Sequence, residues 1–458
     1  MAEPGSLRKP SLASPLSSSG RVVTARQGQF PWTVVGVMMM AFTMAFYAWK
    51  WLVDGEPFGA ALILIPLIIL FTAPTLVRAA RNEHSFDLAG LMLVALAIRF
   101  AFACYRYFHA YDAVVYHIHG IRLASSYRAL DFGADPQAQI PGTGGMRVIG
   151  GIIHVLVNDD YFASYLVMGW LAFWGCWFLY KAAVLAVPDL KRYRYARLIF
   201  LWPSLAYWLT SLGKDSWMMF TIGIASLGAA RVFRRETGGY SLLLIGLFLG
   251  SFVRPHLCLV ALLAFAVALT FGRIHNSQQR LTPGSVAKVA ALVILLAFAT
   301  VLVARTEKFL GTGDFSASLE SAQENSEQGG SAFHAPDPLS PFGYPQALIT
   351  VLFRPLPFEA SGLEQLLTAA EGVFLIVLSI ASYKGLASIL RRIRTQPYVT
   401  YSAMYVLLWA AIFGIISNFG ILERQRSTML PFYFVLLCLP AFSRADSSNR
   451  EWGMRGRG

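Results

Sequence analysis

The run FDLAGLMLVALAIRFAFACYRYFHAYDAVVYHIHGI, residues 86–121, decides the class of this chain. Its first part, 86–105, is apolar over a length that crosses a ~30 Å hydrocarbon core as a helix. An acid and three histidines then arrive together within YFHAYDAVVYHIHGI, residues 107–121. Ionisable groups clustered at a membrane boundary are costly, so each needs a partner or a role.

Composition extends this reading to the whole chain. Of 458 residues, 56% are hydrophobic and only 14% charged, too little polar surface to enclose one soluble core. An all-α polytopic membrane protein follows. The net charge of +13 is spread as short Lys/Arg clusters between apolar runs, not as one basic face, which fits membrane orientation and not nucleic-acid binding. Cys104, Cys176, Cys258 and Cys438 stand singly in apolar segments with no CxxC spacing, so neither a disulfide nor a zinc site is expected.

Working outward, residues 1–29 are rich in Ser, Pro and Gly and predict a disordered tail. One membrane domain over 30–442 and a basic tail over 443–458 follow it. Spans are expected at 32–53 and 58–77, joined by an acidic turn at 54–57 and ending in Arg78 and Arg81. The positive-inside rule then puts both termini in the cytoplasm and the first turn outside a plasma or inner membrane. The span at 86–105 delivers the 107–157 loop to the outer face. There the pattern predicts an interfacial helix from Asp112, with Val114, Ile118 and Ile121 on one face and Asp112, Tyr116 and His119 in a row on another. GTGG at 142–145 lacks the Lys-Ser/Thr of a phosphate-cradling loop and reads as a flexible turn; 146–157 is a second interfacial or re-entrant helix.

Further spans are expected at 161–187, in a run that crosses outward and ends in LWPSLAYWLTSLGKDSWMMF (201–220), in a following span that ends inside at Arg231, Arg234 and Arg235, through two short halves within 240–272 that meet at VRPH, and at 286–304, 365–390, 399–416 and 428–442, about twelve in all. A long polar outer loop covers 305–364. The topology gathers Asp112, His117, His119, Lys214, Asp215, Arg254, His256, Arg354, Glu359, Arg424 and Arg426 at one outer face. Outer cations run against the charge rule, and an anionic ligand such as a lipid phosphate calls for them. An acid among them can serve as general base toward a hydroxyl.

Each residue also has a plainer reading. Asp112 caps a helix start; Lys214–Asp215 and Arg354–Glu359 form local ion pairs; Arg254 and His256 snorkel, and Arg424 and Arg426 bind anionic lipid. His117 and His119, at i and i+2 on a helix, face apart and do not hold one metal.

The order of these parts resembles the C-type glycosyltransferase superfamily. YDAVVYHIHGIRLA looks like the first-loop interfacial helix with its essential acid, and PSLAYWLTSLGKD, VRPH, FRPLPFEA and GILERQR resemble segments of such bacterial membrane proteins. The resemblance covers most of residues 30–442. It implies transfer of a sugar from a polyprenyl-phosphate donor to a cell-envelope glycan or lipid acceptor outside the membrane. Asp112 would be the base, Lys214, Arg254, Arg354, Arg424 and Arg426 candidates for the phosphate, and His117 or His119 aids to catalysis or sugar binding. Many members carry two adjacent acids in this loop, whereas Tyr111 and Ala113 flank Asp112, so no metal ligands are assigned; a divalent cation is the one cofactor the resemblance allows. The other classes carried forward are a polymerase or ligase using a polyprenyl-linked oligosaccharide, and a lipid or glycan transporter. Against transport stand the lack of an internal repeat and the gathering of polar groups at one face.

Overall fold

The computed structural model describes residues 30–83, 85–109, 111–271, 283–310, 333, 340, 342–360 and 362–441. These residues build an all-helical protein with no strands. The expected tails and most of the polar part of the 305–364 loop lie outside the described residues.

In chain order the helices are α1 (Trp32–Val53), α2 (Gly59–Asn82), α3 (Leu88–His109), α4 (Tyr111–Arg128), α5 (Thr143–Val157) and α6 (Tyr161–Ala186). Then come α7 (Arg192–Leu201), α8 (Pro203–Trp208), α9 (Lys214–Phe233), α10 (Gly239–Ser251), α11 (Pro255–Phe271) and α12 (Pro283–Leu310). The last are α13 (Gly343–Phe353), α14 (Leu363–Ala381), α15 (Tyr383–Ala387), α16 (Ile389–Arg392), α17 (Pro397–Phe413), α18 (Phe419–Arg426) and α19 (Leu430–Leu437). Five of them, α1, α2, α3, α6 and α9, are long and apolar enough to cross a membrane, and shorter apolar helices accompany them. The chain is a helical membrane protein. Its outer surface agrees, since Val37, Phe42, Ile63, Phe71 and Val377 are exposed, and lipid leaves such side chains without cost.

Small residues set the closest packing. A Cβ added to Gly175 of α6 would stand 2.3 Å from the Met219 carbonyl oxygen of α9, and one on Gly223 would stand 2.5 Å from the Gly175 carbonyl. Gly228 and Gly246 play the same part between α9 and α10, where an added Cβ would meet Leu243 N at 2.3 Å and Ala225 N at 2.4 Å. Backbones this close gain dispersion contacts that hydrophobicity does not supply inside lipid.

The helix ends sort into two groups. At one, here the basic end, Arg192 pairs with Glu83 at 3.7 Å, Arg392 pairs with Asp189, and Lys191 N donates to Cys438 O at 3.0 Å. The starts of α4, α9 and α11 meet Arg424, in the last turn of α18, at the opposite end.

Several crossings are broken where the sequence predicts continuous spans. Trp202 is extended and Pro203 opens α8, because a residue preceding proline avoids the helical region. Pro203 has no N–H to continue the ladder. The released Ser204 N donates to Glu371 Oε1 at 2.7 Å, and the Phe200 carbonyl accepts from the buried Arg99 at 3.5 Å. The expected span at 365–390 ends at Ala381: three-residue turns begin at Ser382, and Gly385 lies against the Leu439 carbonyl, 2.4 Å from where its Cβ would be. The expected last span at 428–442 contributes only α19, since Pro431 cannot donate backward and 428–429 turn with i−3 bonds. In contrast, the predicted division of 240–272 stands as α10 and α11, with Pro255 opening the second.

Candidate functional site

Helix α4 leaves α3 at the end opposite the basic clusters, with Asp112 in its first turn. Val114, Val115 and Ile118 of α4 are exposed, as are Ile152 and Leu156 of α5, so this pair presents apolar side chains outward. The two helices meet through glycine. A Cβ on Gly120 would lie 2.6 Å from the His154 ring, and one on Gly151 would lie 2.8 Å from Tyr127.

The 142–145 glycine stretch is not a loose turn. Thr143 opens α5, Gly142 N donates to Phe252 O at 3.0 Å, and a Cβ on Gly145 would stand 2.0 Å from that same carbonyl. Side-chain absence here lets α5 dock on the turn between α10 and α11. Arg305 fixes the turn from its other side, donating to Ser251 Oγ at 2.6 Å with its guanidinium 4.9 Å from the Phe252 ring. Arg254 closes that turn.

Four charged side chains then join in a chain. Arg254 Nη1 donates to Asp215 Oδ1 at 2.6 Å. Arg424 Nε donates to Asp215 Oδ2, and Arg424 Nη1 donates to Asp112 Oδ2 at 2.6 Å. The carboxylates differ sharply in setting: the Asp215 side chain is 2% exposed, the Asp112 side chain 65%. Beside them Lys214 Nζ donates to Thr143 Oγ1 at 3.1 Å. The Asp215 carboxylate holds the Arg424 guanidinium well above its ordinary pKa, so its charge is permanent. Burial first, and then the Asp112 charge, push the Tyr116 hydroxyl up, which keeps it protonated and able to donate.

These groups line a cavity of about 450 Å³ whose walls include Asp112, Tyr116, Trp208, Lys214, Arg254 and Arg424. Three cations against two carboxylates leave it positive, and one carboxylate oxygen of Asp112 is free of the Arg424 bond. Such a cavity can hold an anion beside an open acceptor of protons.

Of the residues singled out in sequence, Asp112, Tyr116, Lys214, Asp215, Arg254 and Arg424 come together here. The others do not line this cavity. His117 turns to the α4–α5–α6 joint, with its Nδ1 3.2 Å from His154 Nε2 and its ring 4.3 Å from that of Tyr161. His119, whose pKa is lowered by what burial it has and by Arg147 and Arg122, follows Asp112 and Tyr116 along the same helix face but lies outside the cavity lining. His256, half-buried in the first turn of α11, lies 5.8 Å from the Phe413 ring. Arg354 bonds Glu359 through Nε at 2.8 Å and Nη2 at 2.5 Å and lies over Phe333 and Phe419. Arg426 spends Nη1 on the carbonyls of Leu352 and Arg354, at 2.9 and 3.3 Å. Among the described residues no three His, Cys, Asp or Glu side chains converge to hold a metal ion.

Sequence reasoning passed over Thr143, Trp208 and Arg106. The Arg106 guanidinium lies 4.9 Å from both the Tyr207 and Trp208 rings and so backs the cavity wall. A cation in the last turn of α3, six positions before Asp112, was the available signal.

No family model, curated protein or solved structure matches this chain.

Proposed function

We propose that this protein is a glycosyltransferase that moves a sugar from a polyprenyl-phosphate donor to a cell-envelope glycan or lipid acceptor at the extracytoplasmic face of the cell membrane. One observation carries the reading: Asp112, from the first loop, shares a single cavity with Lys214, Arg254 and Arg424, cations from three distant parts of the chain. The reading adopts about twelve crossings, broken ones included. The positive-inside rule assigns the basic end to the cytoplasm and the cavity to the outside.

In this mechanism the free Asp112 oxygen takes the proton of the acceptor hydroxyl as that oxygen bonds the anomeric carbon. The bond from the anomeric carbon to the phosphate oxygen breaks, and its electron pair stays on the phosphate. Arg424, Arg254 and Lys214 stabilise that charge as it grows. Asp215 holds both arginines in place.

The test is turnover of a panel of polyprenyl-phosphate sugars by protein in lipid nanodiscs. Asp112→Asn lowers turnover by about 10²–10⁴-fold and leaves the melting temperature where it was, since the side chain is exposed. Unchanged turnover in the folded variant removes Asp112 as the base. Turnover confined to polyprenyl-linked oligosaccharides moves the assignment to a polymerase or ligase.

A further inference from the structure

A larger cavity lies elsewhere. A groove of about 710 Å³ runs between α7–α8 and α14, walled by Leu198, Leu201, Trp202, Leu367 and Phe374. Its walls are almost wholly apolar, and Leu367 and Phe374 are exposed. Inside a bilayer such a groove holds hydrocarbon, and the open question is which molecule supplies it.

The charges at its two ends answer this. Toward the basic end stand Arg194 and Arg197. Arg194 Nη2 donates to Ser382 Oγ at 2.6 Å, which fixes the side chain while Nη1 and Nε keep their donors. Arg197 lies 4.6 Å from the Tyr193 ring and, among the described residues, pairs with no carboxylate. Toward the other end stands Glu371, which already accepts the Ser204 N–H. A phosphate is therefore attracted at the arginine end and repelled at the glutamate end. From Leu378 to Leu367 the wall extends about 16 Å at 1.5 Å per residue, enough for a substantial part of one acyl chain.

We infer that this groove is a binding site for one anionic phospholipid of the leaflet at the basic end, its phosphate on Arg197 and Arg194 and one acyl chain along α7 and α14. Its occupant is distinct from any molecule in the Asp112 cavity, because the head group and chain run from the opposite end. The assignment does not depend on the proposed transferase activity.

The test is native mass spectrometry of the protein released from nanodiscs of equal phosphatidylglycerol and phosphatidylcholine. Wild type keeps one phosphatidylglycerol through delipidation. Arg197→Glu weakens its retention about tenfold, the loss of one charge-assisted bond to phosphate. Ala370→Trp, which fills the groove, abolishes retention, and Leu367→Trp, at a position 63% exposed, does the same if Ala370→Trp does not fold. Arg81→Glu, an exposed cation of the same end outside the groove, leaves retention unchanged. The inference is overturned if both groove variants keep the lipid, if phosphatidylcholine is kept equally well, or if Arg81→Glu matches Arg197→Glu. It is also overturned if the retained chain is a polyprenyl phosphate released by Arg424→Ala.

Discussion

Two sets of cations differ in what occupies their donors. Arg354 and Arg426 bond within the protein, away from the cavity: one to both oxygens of Glu359 and over two aromatic faces, the other, through Nη1, to backbone carbonyls. Arg254 and Arg424 are also paired, but through one buried carboxylate that presents them to an open cavity. An arginine away from the basic end is therefore no guide to ligand binding until its partners are known. Cations bonded to loop carboxylates and carbonyls hold loops, while cations anchored from behind face an open cavity in front.

The sharpest way to break this contrast is Asp215→Ala. It leaves two arginines facing each other at a site where Asp215 is 2% exposed, and removing one partner of a buried pair costs about 3–5 kcal/mol. Thermal unfolding in detergent should show that loss; a change below about 1 kcal/mol would mean that water already screens the cluster. Next in size is Gly145→Ala, where the new methyl meets the Phe252 carbonyl and overpacking costs about 1–3 kcal/mol. Because the Phe252 turn carries Arg254, turnover should fall further than stability alone explains; equal falls would detach the turn from the site.

Glu359→Gln comes third. It keeps the shape but loses the carboxylate charge that Arg354 pairs with, about 1–2 kcal/mol, and turnover should stay within roughly threefold of wild type, a barrier change under about 1 kcal/mol. A collapse of turnover would put Arg354 back among the ligand contacts. The smallest expected effect is pH dependence at the α4–α5 joint. Burial, and then the neighbouring His117, lower the pKa of His154 to about 4. Burial lowers that of His117 too, while Asp159, itself bonded to Arg128, opposes both shifts. Over the window from about 6.5 down to about 4 the unfolded chain binds more protons than the folded one, so stability falls as pH falls. Over the first unit of that fall, from about pH 7 to about pH 6, the loss is under about 1 kcal/mol, and His154→Gln should flatten the slope; an unchanged slope would place the titration elsewhere.

Much of the site was legible in sequence, because polar residues flanked by long apolar runs have few places to go. Asp112, Lys214, Arg254 and Arg424 emerge at one end for that reason, and VRPH could only be a turn between short helices. The histidines are less legible, since His117 and His256 lie outside the cavity lining and beside rings that sequence spacing does not encode. Breaks at Pro203 and Pro431 were hidden within long apolar stretches, where hydropathy averages over a lost N–H. The glycines at 142–145 lacked any local sign of their partner, because the Phe252 carbonyl lies more than a hundred residues later.

That separation in sequence has a counterpart in the middle of α3. Arg99 is fully buried, and its guanidinium rests on the Ala95 and Phe200 carbonyls and on Cys176. During synthesis α3 reaches the membrane before residues 176 and 200 have been made, so Arg99 is inserted into lipid with only Ala95 of these three contacts in place. An arginine at a helix centre costs about 2.5–3.5 kcal/mol at insertion, and the other seventeen or so apolar positions needed for a span must carry it until α7 arrives. Assembly order is thereby written into the chain: the contacts of Arg99 are complete only once α6 and α7 have packed on α3.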